Sequence, residues 1–99
     1  MATDLPKLSE AEIAAKLPQL TGWRREGEKI AKDFVLENFT GAAQFITRIA
    51  PLADGMNHHP DVQLYKFKRV KVELWTHSRG GLTQNDFDLA AKIDGLGTA

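Results

Sequence analysis

The chain has 99 residues, which suits a single domain with one modest hydrophobic core. Its 13 Lys and Arg residues balance 13 Asp and Glu residues, so the net charge of zero argues against binding to nucleic acid or to an anionic membrane. The absence of cysteine excludes disulfides and thiol chemistry, and no apolar stretch approaches the roughly 20 residues of a membrane span. Because the N-terminus has no apolar signal-peptide core, we expect a cytoplasmic protein.

The first third of the chain has the pattern of a helix followed by a β-hairpin. A serine with a glutamate three residues later forms a capping box, and apolar spacing predicts a helix over residues 9–17 that Pro18 limits. Strands are predicted over residues 22–25 and 30–36. The turn between them contains Gly27, which can adopt the positive φ that tight turns require.

The middle of the chain predicts a long amphipathic helix. Its N-cap is either Asn38 or Thr40. The apolar stripe at helical spacing consists of Ala42, Phe45, Ile46, Ile49, Ala53 and Met56. Pro51 interrupts this pattern and should kink the helix or divide it in two. We expect the stripe to form core or a subunit interface.

The last third of the chain predicts two strands and a final helix. Pro60 ends any helix that reaches His58, and the strands follow over residues 61–65 and 67–76. Val70, Val72 and Leu74 should face the helices, whereas Lys71, Glu73, Trp75 and His77 alternate onto the opposite face. A second capping box over residues 83–86 begins the last helix, and Gly95 ends it.

The element order α-β-β-α-β-β-α predicts an α+β fold with an antiparallel sheet covered by helices on one face. We expect one domain over residues 1–99, with residues 1–8 and 95–99 as tails. The second sheet face stays open for a partner or a ligand, and Trp75 is a candidate for burial in an interface there.

All three histidines lie in two short segments, one at His58 and His59 and the other at His77. Histidine exchanges protons near neutral pH because its unperturbed pKa is about 6.5. Any one of them, taken alone, is most simply a surface or satisfied core residue. Their shared position at segment boundaries, with Asp54 and Asp86 nearby in sequence, favours a functional site.

Metal-free general acid–base catalysis fits this set best. Three histidines can bind zinc, but adjacent side chains such as His58 and His59 diverge, and no HExxH spacing is present. Nucleophilic catalysis has little support, because cysteine is absent and neither Ser9 nor Ser78 lies in an elbow motif.

The combined motif resembles the pterin-4a-carbinolamine dehydratase family. It comprises an acidic residue four positions before His58-His59-Pro60, a strand ending in Thr76-His77, and a Gly81-Leu82-Thr83 turn followed by Asp86. The run from Tyr65 to Val70 departs from the family pattern and implies a lengthened turn near the pocket rim.

The resemblance implies a four-stranded antiparallel sheet with three helices on one face, and a homodimer or homotetramer. It implies dehydration of 4a-hydroxytetrahydropterin to quinonoid dihydropterin without metal or organic cofactor. The reaction recycles the pterin of aromatic amino acid hydroxylases, so such an enzyme is a possible functional partner.

The same resemblance implies a role for each site residue. The catalytic set is His58, His59, His77 and Asp86. Within it His58 and His77 carry the proton transfers, and His59 mainly holds the substrate. The substrate-binding set adds Asn57, Thr76 and Ser78. Asp86 either orients a histidine or only caps the last helix, and Asp54 either belongs to the motif or is an exposed helix residue.

Two other functions stay open at this point. The second hypothesis is a non-catalytic binding or assembly module on the same fold. The third is a metal-bound structural oligomer. An eroded site would lack at least one histidine. Because all three are present, the enzyme is favoured.

Overall fold

The computed structural model describes residues 5–97. Its helices are α1 (Glu10–Lys16), α2 (Phe39–Met56) and α3 (Gln84–Asp94), and its strands are β1 (Arg24–Glu26), β2 (Lys29–Val35), β3 (Asp61–Tyr65) and β4 (Arg69–Leu74). Two short 3-10 turns cover Leu17–Gln19 and His77–Arg79. The predicted element order is confirmed. Within the described residues, no helix is long and apolar enough to cross a membrane.

The four strands form one antiparallel sheet in the order β1-β2-β4-β3. The central pair β2 and β4 carries the core, and the register places Ile30 opposite Leu74 and Phe34 opposite Val70. These side chains are buried against residues of all three helices, which include Ile13, Phe45, Ile49, Leu89 and Ile93. The predicted sheet with helices on one face is therefore confirmed.

Side-chain caps fix where the first two helices begin. Ser9 and Glu12 form the predicted capping box, in which Glu12 N donates to Ser9 Oγ at 3.1 Å and Ser9 N donates to Glu12 Oε1 at 2.8 Å. At α2, Asn38 Oδ1 accepts from Gly41 N at 2.8 Å, which decides for Asn38 over Thr40 as the N-cap. Each cap satisfies backbone donors that the first helical turn leaves unpaired.

Helix α2 is a single helix of 18 residues that contains Pro51, so of the two predicted effects of the proline, a kink or a division, the division does not occur. The proline removes one backbone donor, but the buried residues Phe45, Ile49 and Ala53 anchor the helix on both sides of it. Phe45 and Ile49 are buried within this one chain, at 0% and 2% exposure. Of the two predicted alternatives, core or subunit interface, Phe45 and Ile49 belong to the core.

Two strands begin later than predicted, because residues near their predicted starts have positive φ angles. The first strand begins at Arg24 instead of Gly22, because Gly22 has a φ of 87° that no strand allows. Strand β4 begins at Arg69 instead of Phe67, because Lys66 and Phe67 have φ values of 47° and 52°. Three residues therefore connect the paired Tyr65 and Arg69.

Replacing Lys66 by asparagine and Phe67 by glycine is expected to stabilise the protein. The left-handed conformation costs a residue with a Cβ about 1–2 kcal/mol, and Phe67 loses little packing because it is 60% exposed. Allowing for the chain entropy that glycine adds, we expect the free energy of unfolding to rise by about 1 kcal/mol in urea titrations. Lys68→Gly is the matched control and should destabilise, because Lys68 is outside the positive-φ pair. A double variant less stable than wild type would contradict the assignment of strain to this turn.

The sheet face away from the helices carries a network of charges. Arg24 NεH donates to Glu26 Oε2 at 2.6 Å, and Lys71 Nζ lies 3.4 Å from Glu26 Oε1. The Arg24 hydrogen bond, followed by that of Lys71, holds the pKa of the Glu26 carboxyl below its ordinary value. This face is therefore largely charged along β1, β2 and β4, and its aromatic residues include Tyr65 and Trp75.

The N-terminal segment lies against the loop that enters α3. Leu8 N donates to Leu82 O at 2.8 Å, and Arg79 NεH donates to Leu5 O at 2.9 Å. Of the two predicted tails, residues 1–8 and 95–99, the structure does not describe residues 1–4 and 98–99.

Candidate active site

One wall of the site is the exit from helix α2. Asn57 ends the helix in the left-handed conformation, with φ 50° and ψ 43°, which asparagine tolerates better than most residues. His58 N still donates to Ala53 O at 3.1 Å. Because Pro60 disfavours further helix and β3 begins at Asp61, His58 and His59 lie in the connection between helix and sheet.

The opposite wall follows strand β4. Thr76 and Gly81 form an isolated antiparallel bridge, and Thr76 N donates to Gly81 O at 2.9 Å. The loop between them is closed by Gly80, whose φ is 66°. His77 was predicted at the end of the strand. It instead begins the 3-10 turn His77–Arg79, because the strand ends at Leu74 and the bridge redirects the chain.

The two walls enclose a cleft of about 360 Å³. Its lining residues are Asn57, His58, His59, Pro60, Asp61, Trp75, Thr76, His77 and Ser78. The fold thus brings together all three histidines and every residue predicted to bind substrate. A larger hollow of about 630 Å³ lies beside the start of α2, but it is lined by residues between Leu36 and Arg48 and is remote from this chemistry.

The deepest histidine is paired with a buried carboxylate. His58 is 7% exposed, Asp86 is fully buried, and His58 Nε2 lies 2.6 Å from Asp86 Oδ1. A carboxylate oxygen accepts hydrogen bonds, so in this contact the imidazole is the donor through Nε2–H, and the contact orients the His58 ring.

The second oxygen of Asp86 organises the rest of the buried network. Asp86 Oδ2 accepts from Thr76 Oγ1 and from Thr83 N, both at 2.9 Å. Thr76 Oγ1 also lies 2.9 Å from Thr83 Oγ1. Asp86 therefore contacts a histidine and also closes the capping box of α3, so both of the contacts predicted for this residue are present.

His59 has a different environment at the rim of the cleft. Its Nε2 lies 2.8 Å from Asp54 Oδ1, and the two side chains are 59% and 76% exposed. Asp54 is therefore an exposed helix residue that also contacts a histidine. Exposed pairs of this kind contribute little to stability, so the contact mainly restricts how the His59 ring turns.

His77 is exposed, and its ring packs against Trp75, with ring centroids 4.1 Å apart and an angle of 48° between the planes. Trp75 is a site residue that the sequence-based assignment missed, because it was considered only as an interface candidate. The signal was present in the sequence. Residues 75 and 77 alternate onto the same face, which places their side chains side by side.

The cleft was also a candidate for a metal site, because three histidines can bind zinc. Between residues 5 and 97, no three side chains of the His, Cys, Asp or Glu type are grouped so as to hold a metal ion. Two of the three histidines each contact one carboxylate, His58 that of Asp86 and His59 that of Asp54.

The family model and the sequence relatives that match this chain all name the same family. The family model described as pterin 4 alpha carbinolamine dehydratase matches residues 6–96. A provisionally named pterin-4-alpha-carbinolamine dehydratase of Roseiflexus sp. strain RS-1 is 48% identical over 88 residues, which cover 89% of this chain and 94% of the relative. The corresponding protein of Sulfolobus acidocaldarius is 47% identical over 88 residues, covering 89% of this chain and 96% of the relative.

Solved structures agree with the sequence relatives. The transcriptional coactivator/pterin dehydratase of Brucella melitensis superposes with a TM-score of 0.86 at 33% identity, covering 91% of this chain and 97% of that one. A pterin dehydratase-like RuBisCO assembly factor of the alpha-carboxysome shares the fold, with a TM-score of 0.64 at 22% identity over 79% of this chain and 93% of the other. With the fold, the histidine cleft and these matches taken together, the chain belongs to the pterin-4a-carbinolamine dehydratase family.

Proposed function

We propose that the protein dehydrates 4a-hydroxytetrahydropterin to quinonoid dihydropterin and water by histidine general acid–base catalysis. The observation that carries the proposal is that all three histidines line one cleft and that the buried Asp86 holds one of them. The cleft volume of about 360 Å³ is within the usual range for a small-molecule site.

The reaction needs two proton transfers and no change of oxidation state. The C4a–O bond breaks, and the leaving oxygen takes a proton from an acid to become water. A base removes the N5 proton, and the electron pair of that N–H bond forms the new C4a=N5 double bond. His58 and His77 divide these two transfers, and exchange with solvent restores the protonation of both residues. The balance requires neither an oxidant nor a reductant, and no metal or organic cofactor enters the proposal.

The remaining cleft residues hold the substrate. His59 lies at the exposed rim, where its contact with Asp54 leaves the other ring nitrogen free to bind the pterin. Asn57, Thr76 and Ser78 line the cleft around a planar ring that has many hydrogen-bonding atoms. The Thr76 hydroxyl is engaged by Asp86 and Thr83, and its backbone N–H and C=O pair with Gly81 and Arg79, so Thr76 shapes the cleft wall while Asn57 and Ser78 are the residues that offer polar groups to the substrate.

The catalytic demand on such a site is modest. General acid–base catalysis contributes about 10²–10⁴-fold, which corresponds to about 3–5.5 kcal/mol of barrier. Carbinolamines also lose water unaided, so the enzyme accelerates an accessible step. Two positioned histidines are sufficient for this acceleration.

The wider biological setting is proposed on the pattern of the family. We propose a single domain over residues 1–99 that forms a homodimer or homotetramer in the cytoplasm. Its product would be reduced again for use by an aromatic amino acid hydroxylase, so that the pterin is recycled.

Stopped-flow absorbance of 4a-hydroxytetrahydropterin decay at neutral pH tests the proposal. We expect the protein to accelerate decay above the spontaneous rate, and a folded His58→Gln/His77→Gln double variant to remove the acceleration. If the folded wild-type protein gives only the spontaneous rate, the dehydratase is excluded. The alternative would then be a non-catalytic binding or assembly module, and capture of partner proteins by this chain would be the next measurement.

A further inference from the structure

Trp75 is the side chain whose ring packs against the exposed histidine of the cleft. Its ring centroid lies 4.1 Å from that of His77, the shortest ring contact among the described residues. Within residues 5–97 the His77 imidazole makes no side-chain hydrogen bond, unlike His58 and His59, each of which has a carboxylate partner. The orientation of the His77 ring therefore depends on packing against an aromatic face.

We propose that Trp75 is a positioning residue, which holds the His77 imidazole in the orientation required for proton transfer. This inference rests on the dehydratase function proposed above. An exposed imidazole on a 3-10 turn otherwise samples several rotamers, and each misaligned rotamer removes His77 from the reaction. The indole restricts that sampling without donating or accepting a proton itself.

The ring face of Trp75 carries this role, and its N–H does not. The indole Nε1 is buried without a hydrogen-bond partner in the described structure. Buried Trp N–H groups are usually paired. The N–H of Trp75 is unpaired, so the placement of this indole does not depend on a hydrogen bond. Because Nε1 is closed to water, it is equally closed to a pterin in the cleft. A phenyl ring at this position should therefore preserve the function.

Strand β2 supports the indole. The pairing of Ile30 with Leu74 places Lys29 opposite Trp75, and Lys29 Nζ lies 5.7 Å from the ring centroid. Lys29 Nζ is itself 3.8 Å from Glu73 Oε1. A cation at this distance from an indole face is attracted to it. The central strands thereby fix the ring against which His77 packs.

The test compares Trp75→Phe with Trp75→Leu, and Phe39→Leu serves as the matched loss of an exposed aromatic ring away from the cleft. The first readout is the χ1 rotamer distribution of His77, taken from three-bond NMR couplings, which needs no activity and does not depend on the ring current of residue 75. The second is kcat/KM for 4a-hydroxytetrahydropterin. We expect the leucine variant to spread His77 over several rotamers and to lose about ten-fold in kcat/KM, mainly through kcat. The phenylalanine variant and Phe39→Leu should keep the rotamer distribution and kcat/KM close to wild type.

Each contrary outcome has a distinct meaning. An unchanged His77 rotamer distribution in Trp75→Leu would show that the indole does not position the ring, and a changed distribution with unchanged kcat/KM would show that the position is irrelevant to catalysis. Equal loss of activity in the phenylalanine and leucine variants would show that a phenyl ring cannot replace the indole, and would overturn the assignment of the role to an aromatic face alone. A wild-type protein without dehydratase activity would overturn the proposed function and the catalytic part of this inference, whereas the NMR arm would still decide whether Trp75 orders His77.

Discussion

Replacing His58 by glutamine is expected to lower the dehydration rate by about 10²-fold or more while the protein stays folded. The glutamine amide nitrogen can take the place of imidazole Nε2 and donate to Asp86 Oδ1, which His58 contacts at 2.6 Å. It cannot exchange a proton near neutral pH. The change therefore removes proton exchange at residue 58 and preserves the buried hydrogen bond to Asp86. Complete removal of the side chain would lose both. Stopped-flow rates and urea unfolding of the same preparation provide both measurements.

The other two histidines supply the comparison. His77→Gln should lower kcat by a similar factor with no measurable loss of stability, because His77 is exposed. His59→Gln should mainly raise KM, since His59 lies at the rim and is assigned to substrate binding. Full activity in both the His58 and His77 variants would remove these residues from the mechanism, whatever the binding affinity for the pterin.

Replacing Asp86 by alanine is expected to destabilise the protein by about 3 kcal/mol or more. Asp86 is fully buried and accepts from His58 Nε2, Thr76 Oγ1 and Thr83 N. Its loss leaves these buried donors without an acceptor and removes half of the capping box of α3. For a domain of this size the loss corresponds to a fall in Tm of about 12–24 °C, at 4–8 °C per kcal/mol. Differential scanning calorimetry measures it directly.

Two matched variants separate the roles of this carboxylate. Asp86→Asn keeps the shape and one acceptor oxygen, so it should retain part of the stability but lose activity, because the neutral amide no longer orients the His58 ring as the carboxylate does. Asp54→Ala removes the exposed partner of His59 and should change the free energy of unfolding by less than about 0.5 kcal/mol. If Asp86→Ala were as stable as Asp54→Ala, the buried network would contribute nothing measurable, and Asp86 would act on catalysis alone.

The sequence by itself determined the order of elements and which side chains of β4 face the helices. Alternation at Val70, Val72 and Leu74 placed these residues on the helix-facing side of β4, because side chains along a strand point to opposite faces in turn. The capping box at Ser9 was equally readable, since its two hydrogen bonds lie within four residues of chain. Local rules suffice for such features.

Local rules failed where backbone angles or distant packing decided the outcome. The positive φ of Phe67 could not be expected for an aromatic residue, and it shortened β4. Pro51 was predicted to kink or to divide the second helix, and division did not occur because core residues on both sides hold the helix together. Whether Phe45 and Ile49 were core or interface depended on which surfaces the sheet covers, which periodicity does not reveal.

The site divides in the same way. The motif around His58, His77 and Asp86 was visible in the sequence because residue types and spacing define it. Only the tertiary structure decided that Asp86 accepts from His58, across 28 residues of chain, and that the His77 ring packs against Trp75. Hydrogen bonds and ring contacts between distant segments depend on distances of a few tenths of an ångström, and these are set by how helices and sheet pack together.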